Sequence, residues 1–462
     1  MTEKLKVYSP YDGHLIKEID MDDEARIEQT LATAHGLEQK KPIPTPERIA
    51  ILNKTADLVE AKTEEFARQS AEEGGKPLID SRVELGRAVQ GIREAANSIG
   101  QLTGHEIPMS LTPSSMNRMA FTTREPIGVV AAVSAFNHPF NLIVHQVIPG
   151  VAVGCPVIVK PARTTPLSCL NLVNCLYEAG LPKEWVQVII CKGSLAERIV
   201  TDPRVSFLTF IGSGKVGWGL RSKLAEGARC ALEHGGAAPV IVEADADIDD
   251  ALPLLAKGGF YHAGQVCVSV QRVFVHEDIV EEFSSKLVDL AEKLVVGDPV
   301  DDKTEVGPLI QEGEVERIHK WVEEAKAGGG KILTGGKKIG KTCYEPTVIL
   351  NPPYDANVSQ CEIFGPVINI YSYKNRDDAI KLANAVPFSF QAAVFTSDIN
   401  AALQSANDLN AAAVMINDHT AFRVDWMPFA GARHSGHGVG GIPHTIHEMQ
   451  IQKMMVLRSD EL

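Results

Sequence analysis

A chain of 462 residues with 44% hydrophobic residues is too long for one ordinary core, so two large domains of a soluble α/β protein are expected. Its formal net charge of −14 gives no support for binding to nucleic acid or to an anionic membrane. The opening MTEKLKVYSPYDG lacks the apolar centre of an export signal, and no apolar run is long enough to cross a bilayer. A cytoplasmic location with mostly free thiols is therefore expected, the terminal SDEL being too faint a retention signal on its own.

In chain order, two amphipathic helices are predicted over 46–72 and 80–100, then an irregular polar stretch, SLTPSSMNRMAFTTREP. IGVVAAVSAF (127–136) reads as a buried strand, PFNLIVHQVIPGVAVG (139–154) as a helix and CPVIVK (155–160) as the next strand. A helix follows through LSCLNLVNCLYEAG (167–180), then the strands VQVIIC and VSFLTFI. Continuous Val/Ile runs separated by helices imply parallel strands buried on both faces, hence a doubly wound sheet. After GGAAPVIV a second α/β series begins, with a helix over 249–262, the strand QRVFVH and helices near 279–294 and 312–327. GGGKILTGGKKIGK (328–341) reads as a loop region, and strands near 366–373, 391–396 and 412–417 complete the unit. IQKMMVLRS at the C-terminus reads as a strand, and no internal repeat is present.

VSFLTFIGSGKVGWGL sets Gly212-Ser213-Gly214-Lys215-Val216-Gly217 directly after a strand and at the start of a helix, which is G-x-G-x-x-G in the setting a dinucleotide requires. The glycines allow a tight turn, and the helix N-terminus offers unpaired N–H groups to phosphate. Glu233, about twenty residues on, sits where an acid would bind ribose hydroxyls. The His-Gly-Gly that follows breaks strand geometry there, so Glu233 is equally a candidate base facing a cleft. Spacing leaves both roles open. YHAGQVCVSV (261–270) raises a similar choice for Cys267, between small core hydrophobe and nucleophile.

Seven motifs in order resemble one family, the NAD(P)-dependent aldehyde dehydrogenases: AFNHP (135–139), VKPA (159–162), FIGSGKVG, LEHGGAAP, GQVCVSVQRV, EIFGPV (362–367) and PFAGARHSGHG (428–438). The resemblance runs the length of the chain. It implies two doubly wound α/β domains, a Rossmann-like cofactor domain (1–107 and 127–235) and a catalytic domain (236–438), with a small β oligomerisation element (108–126 and 439–462). It also implies a homodimer or homotetramer acting on a small aldehyde. By that resemblance Cys267 is the nucleophile that makes the aldehyde tetrahedral, and Asn137 with the Cys267 N–H is the oxyanion hole. Glu233 is then the base that activates water to hydrolyse the thioester. NAD(P)+ is implied against Lys160, Gly212, Ser213, Val216, Gly236, Glu362 and Phe364.

The sequence departs from the family at Arg163, where many NAD-preferring members carry a glutamate. A guanidinium there suits a 2′-phosphate, so NADP use is expected. His138, Val266 and Arg423, together with His145, are candidates for the substrate tunnel and favour a small polar or anionic aldehyde. No metal site is expected, because nothing completes the two H-x-x-H pairs of His434, His437, His444 and His447. A Cys–His hydrolase built on His262 would leave the glycine turn and EIFGPV unexplained. Two alternatives remain: a CoA-acylating enzyme, against which Glu233 argues, and a non-catalytic relative, against which intact Cys267, Asn137 and Glu233 argue.

Overall fold

In the computed structural model, which describes residues 3–462, consecutive residues of the strand Val129–Val133 serve two different cores. Val130 and Ala132 pack with the helices Leu78–Ser98, Asn141–Val153 and Pro166–Ala179. Val129 and Ala131 pack on the other face with Glu24–Glu38 and Gly193–Val200. A strand covered on both sides needs apolar residues at successive positions, which is why this segment shows no alternation. The same division recurs in the second unit. There Val240, Val242, Val273 and Val275 face one core and Ile241, Phe274, Ala392 and Val394 the other.

The first sheet has six strands in the order Gly436–His437, Arg229–Glu233, Val205–Ile211, Val129–Val133, Val157–Lys160, Val186–Val188, parallel except at the first pair. Chain order reverses between Val129–Val133 and Val205–Ile211, so a crevice opens beyond their C-terminal ends. The second sheet has seven strands, Lys331–Thr334, Thr347–Leu350, Val367–Tyr373, Val270–His276, Ala238–Val242, Gln391–Phe395 and Ala413–Ile416, antiparallel only at the first pair. A separate antiparallel sheet joins Gln450–Arg458 to Arg118–Pro126, with Glu106–Ile107 at its edge. The architecture is the expected one, two doubly wound α/β units and a small β element.

Several elements differ from expectation. The 46–72 helix is two, Thr45–Ala61 and Thr63–Gly74, broken where Lys62 leaves helical geometry at φ −108° and ψ 15°. Half of the polar stretch is regular, because Arg118–Pro126 gains a partner in the C-terminal strand. The Gly/Lys region contains the strands Lys331–Thr334 and Lys338–Ile339 for the same reason, the first pairing with Thr347–Leu350. The helix near 249–262 ends at Phe260, and VQVIIC holds a strand only over Val186–Val188. The N-terminal hairpin Lys4–Tyr8/Leu15–Asp20 and the helix Glu24–Glu38 had no counterpart in the sequence reading. Ile442 and Ile446 of the helix Ile442–Glu448 enter the first core, so the chain returns to the first unit before the last strand. Among the described residues no helix is long and apolar enough to cross a membrane.

The helix Thr63–Gly74 ends at Gly75, whose φ is 75° and whose Cβ position lies 2.9 Å from the Pro308 side chain. Gly75→Ala is expected to destabilise the protein by about 1–2 kcal/mol or more, since both the left-handed backbone and the close approach penalise a side chain. Gly36, inside Glu24–Glu38 with open space around it, gives the contrast. Gly36→Ala should stabilise by about 0.5–1 kcal/mol. Denaturant midpoints of the two variants, measured side by side, check this pair of opposite signs.

Candidate active site

The two sheets meet across a cavity of about 690 Å³. Its walls come from the C-terminal ends of the first sheet (Val133, Ser134, Lys160, Ile211, Glu233) and from the segment Val266–Val268 entering the second. Of the residues singled out from sequence, Cys267, Glu233, Asn137, Lys160, Gly212, Ser213, Val216, Glu362, Phe364, His138, Val266 and Arg423 all line this one cavity. Two do not. Arg163 is exposed just outside, between the lining residues Ala162 and Thr164, and the lining glycine of LEHGGAAP is Gly235, Gly236 lying one residue behind it.

Cys267 sits three residues ahead of the strand Val270–His276, at the end of an unusual turn. His262, Ala263 and Gly264 have φ of 49°, 53° and 68° in succession. A Cβ on Gly264 would lie 2.0 Å from the Gly365 carbonyl, so a glycine is required there. Gln265 ties the turn down. Its amide donates to Pro308 O at 3.2 Å, and its Oε1 accepts from Ile310 N at 3.0 Å. Asn137, buried in the loop after Val129–Val133, donates Nδ2–H to Gln265 O at 2.9 Å. One amide hydrogen of Asn137 is thereby spent on orientation and a second remains for a ligand.

Cys267 is only half-buried, yet burial pushes its thiol up to about 12. Glu233 and Glu362 act in the same direction, and Arg423 opposes them. The resting site therefore holds a thiol, whereas the nucleophilic role asks for a thiolate. Glu233 closes the strand Arg229–Glu233; burial raises its carboxyl and Arg423 again pulls the other way. Room for that carboxylate is made by Gly440, where a Cβ would lie 2.0 Å from Glu233 Oε1.

The far end of the cavity is polar. Asp425 accepts from Arg87 Nη2 at 2.8 Å, Asn141 Nδ2 at 3.0 Å and His145 Nε2 at 2.7 Å. Against the cost of burial, His145 and Arg87 hold its carboxyl well below the usual range. His145, lowered to about 4 chiefly by burial, keeps Nδ1 as an acceptor toward Arg423 Nη2 at 3.4 Å. Arg423 lies over the Phe429 ring at 3.5 Å, and its buried Nε has no partner. Arg87 is thus neutralised by Asp425, and Arg423 is left with hydrogen-bonding capacity to spare.

The other end suits a dinucleotide. Ser213 stands at the N-cap position of the short helix Gly214–Arg221 without a side-chain cap hydrogen bond, and a Cβ at Gly217 would lie 2.1 Å from the His234 ring, so glycine permits that packing. Glu362 Oε1 is buried without a hydrogen-bond partner, and burial raises its carboxyl to about 8. An orphaned carboxylate oxygen on a cavity wall is what a pair of ribose hydroxyls would satisfy. The Lys160 ammonium has no hydrogen-bond or ion-pair partner among the described residues, and burial lowers its pKa. Glycine, lysine and carboxylate together fit a nicotinamide dinucleotide.

Lys76, Glu84, Arg87, Tyr261, Asp425 and Gly440 were not singled out from sequence. Lys76, Glu84 and Arg87 lie on segments remote from the recognisable motifs, whereas Tyr261 opens the segment YHAGQVCVSV and Asp425 and Gly440 flank PFAGARHSGHG, where nothing in the motifs themselves marks them.

Residues 1–455 match the model of the Aldehyde dehydrogenase family. A 3-sulfolactaldehyde dehydrogenase from Priestia aryabhattai is 39% identical over 456 residues, which cover 98% of this chain and 95% of that one. A solved glyceraldehyde-3-phosphate dehydrogenase from Methanocaldococcus jannaschii, complexed with NADP, has a TM-score of 0.95 at 35% identity, covering 99% of this chain and 100% of the other. An aldehyde dehydrogenase from Physcomitrella patens in complex with the reaction product succinate has a TM-score of 0.95 at 34% identity, covering 99% and 95%.

With its thiol pushed up to about 12, Cys267 in the unliganded protein should alkylate at a rate that still climbs at pH 9. Arg423→Met, which removes the cation opposing that shift, should slow the reaction at each pH. Iodoacetamide labelling followed by peptide mass mapping at Cys267 reads both effects; a plateau below pH 8 would contradict the assignment.

Proposed function

The chain belongs to the aldehyde dehydrogenase family, and we propose that it oxidises a small anionic aldehyde to its carboxylic acid with NAD(P)+ by covalent catalysis at Cys267. What carries the reading is that Cys267, Glu233, Asn137 and the underused guanidinium of Arg423 line one cavity with the glycine turn and Glu362. In this scheme Glu233 first takes the thiol proton, which its raised affinity for protons favours. The thiolate adds to the aldehyde carbon, and the new alkoxide is held by the free amide hydrogen of Asn137 and the Cys267 N–H, each such donor being worth about 3–4 kcal/mol. Lys160, the 212–216 turn and Glu362 would hold a nicotinamide dinucleotide, which when bound would supply the acceptor for the hydride lost as the Cys267 adduct becomes a thioester. Glu233 releases the first proton to solvent and then takes one from water, hydroxide adds to the thioester carbon, and collapse gives the acid and the Cys267 thiolate, to which Glu233 returns its proton. The balance is one aldehyde, one water and one oxidised cofactor in; one acid, one reduced cofactor and one proton out.

Arg423 supports an anionic substrate, because a buried guanidinium nitrogen without a partner is costly until an acid group pairs with it. The relatives' names agree in kind, one acting on a sulfonated aldehyde and another holding succinate. Arg163, exposed beside the cofactor end, supports NADP use, in keeping with the NADP bound to the Methanocaldococcus jannaschii protein. The division into cofactor, catalytic and oligomerisation segments belongs to the same reading. Met454, Met455, Val456 and Leu457, exposed on the outer strand of the antiparallel sheet, support a homodimer or homotetramer built on that edge.

A panel of three-carbon aldehydes, neutral, carboxylated, sulfonated or phosphorylated, assayed with NAD and with NADP, tests substrate and cofactor together. Anionic members should exceed propanal in kcat/KM by about 100-fold, an amount a single buried charge-assisted pair supplies. Arg423→Met should erase that preference, lowering kcat/KM for the anionic members far more than for propanal, which loses only the effect of the guanidinium on Cys267; equal rates for charged and neutral aldehydes in the unmodified protein would defeat the assignment. Glu233→Gln should lower kcat by about 100-fold or more, with partial recovery as pH rises toward the Cys267 thiol's own ionisation. Loss that does not recover at pH 9–10 would count against Glu233 as the base for that thiol.

A further inference from the structure

Lys76 is fully buried, and no step of the scheme above uses it. Its ammonium donates to Glu84 Oε2 at 2.7 Å and meets His138 Nδ1 at 2.6 Å. The other oxygen of Glu84 accepts the backbone N–H groups of Phe140 at 3.0 Å and Asn141 at 2.8 Å, where the helix Asn141–Val153 begins. Lysine and glutamate together therefore pin residues 138, 140 and 141, the segment next to Asn137. An ammonium carries only donors, so the nitrogen it meets on His138 must offer its lone pair. The single ring hydrogen then resides on Nε2. That atom has no hydrogen-bond partner among the described residues, and His138 lines the cavity.

We propose that Lys76, itself held by Glu84, is a positioning residue that locks His138 in the Nε2–H tautomer, so that a fixed neutral donor faces an oxygen on the substrate beside the reacting carbonyl. The assignment of that donor to substrate rests on reading the cavity as the aldehyde site; the tautomer lock does not. Every charged or titratable group around the ring is accounted for. Glu84 is committed to Lys76, and Asp80 bonds Lys257 through Oδ1 at 2.6 Å while its buried Oδ2 has no partner; neither carboxylate hydrogen-bonds the His138 ring. Arg87, Arg423 and His262 add only repulsion, and the Tyr261 hydroxyl stands farther from Nδ1 at 3.4 Å. Burial and these neighbours, Lys76 foremost among them, hold the imidazole well below its ordinary range.

The test replaces the pair with a neutral one of similar shape, Lys76→Met with Glu84→Gln, which leaves a carbonyl oxygen for the Phe140 and Asn141 N–H groups. With the Lys76 charge gone, His138 should take up a proton at higher pH than in the unmodified enzyme, burial still holding it below its ordinary value, and kcat/KM should gain an acid limb on the low-pH side that the unmodified enzyme lacks. Adding His138→Gln should remove that limb, which a merely structural loss would not do. A pH profile of the paired variant superimposable on that of the unmodified enzyme would overturn the proposal. Independently of catalysis, proton–nitrogen correlation of ¹⁵N-histidine in the full-length protein, with His138 assigned by its absence in His138→Gln, should show protonated Nε2 and bare Nδ1, unchanged from pH 5.5 to 8. A proton on Nδ1, or a titration near pH 6.5 in the unmodified protein, would also overturn it, whatever the aldehyde panel gives and whether or not the paired variant folds.

Discussion

One hydrogen bond, from the Asn137 side chain to the Gln265 carbonyl, joins the loop leaving the first sheet to the turn entering the second. Each sheet is rigid because both of its faces are covered, so the relative position of the two loops is set where they touch. Gln265 is itself fixed to Pro308 and Ile310, and the backbone around it runs through three left-handed residues. Non-glycine residues in that conformation cost on the order of 1–3 kcal/mol each. Surroundings that hold the turn against such strain deliver Cys267 to the cavity wall with little freedom to move. The remainder of the site is arranged around that sulfur.

The electrostatics follow from burial. A thiol and two carboxyls, those of Cys267, Glu233 and Glu362, share a recess in which every one of them is driven toward its neutral form. Arg423 is the cation that acts on both Cys267 and Glu233, and it is available because Asp425 satisfies Arg87, Asn141 and His145 instead. Such a cavity is quiet at rest. Ligands that bring charge and hydrogen bonds into it change the balance on several groups together.

Much of the fold was legible because buried parallel strands write themselves as continuous Val/Ile runs. Val205–Ile211 matches its predicted span, and the helices near 279–294 and 312–327 lie within a residue of theirs. Where pairing partners are far apart in sequence the signal vanished. Arg118–Pro126 reads as polar irregular chain until Gln450–Arg458 is laid beside it, and Lys331–Thr334 is hidden among glycines until Thr347–Leu350 completes it. The break at Lys62 left no mark because both halves keep an amphipathic pattern.

The sequence by itself determined which chemical groups are present and roughly where along the chain: a cysteine behind a glycine turn, an acid before a Gly-Gly step, a lysine at a strand end, a glycine motif at a helix start. Only the tertiary structure decided their states and spare valences. Proton affinity depends on what surrounds a group in space, so Cys267 as a resting thiol, Glu362 with an unsatisfied oxygen and Arg423 rather than Arg87 as the open guanidinium could not be read from spacing. Lys76 and Glu84 lie more than fifty positions from His138 in the chain, and Lys76 meets it and Glu84 meets the Phe140 and Asn141 N–H groups only because the helix Leu78–Ser98 packs against the start of Asn141–Val153.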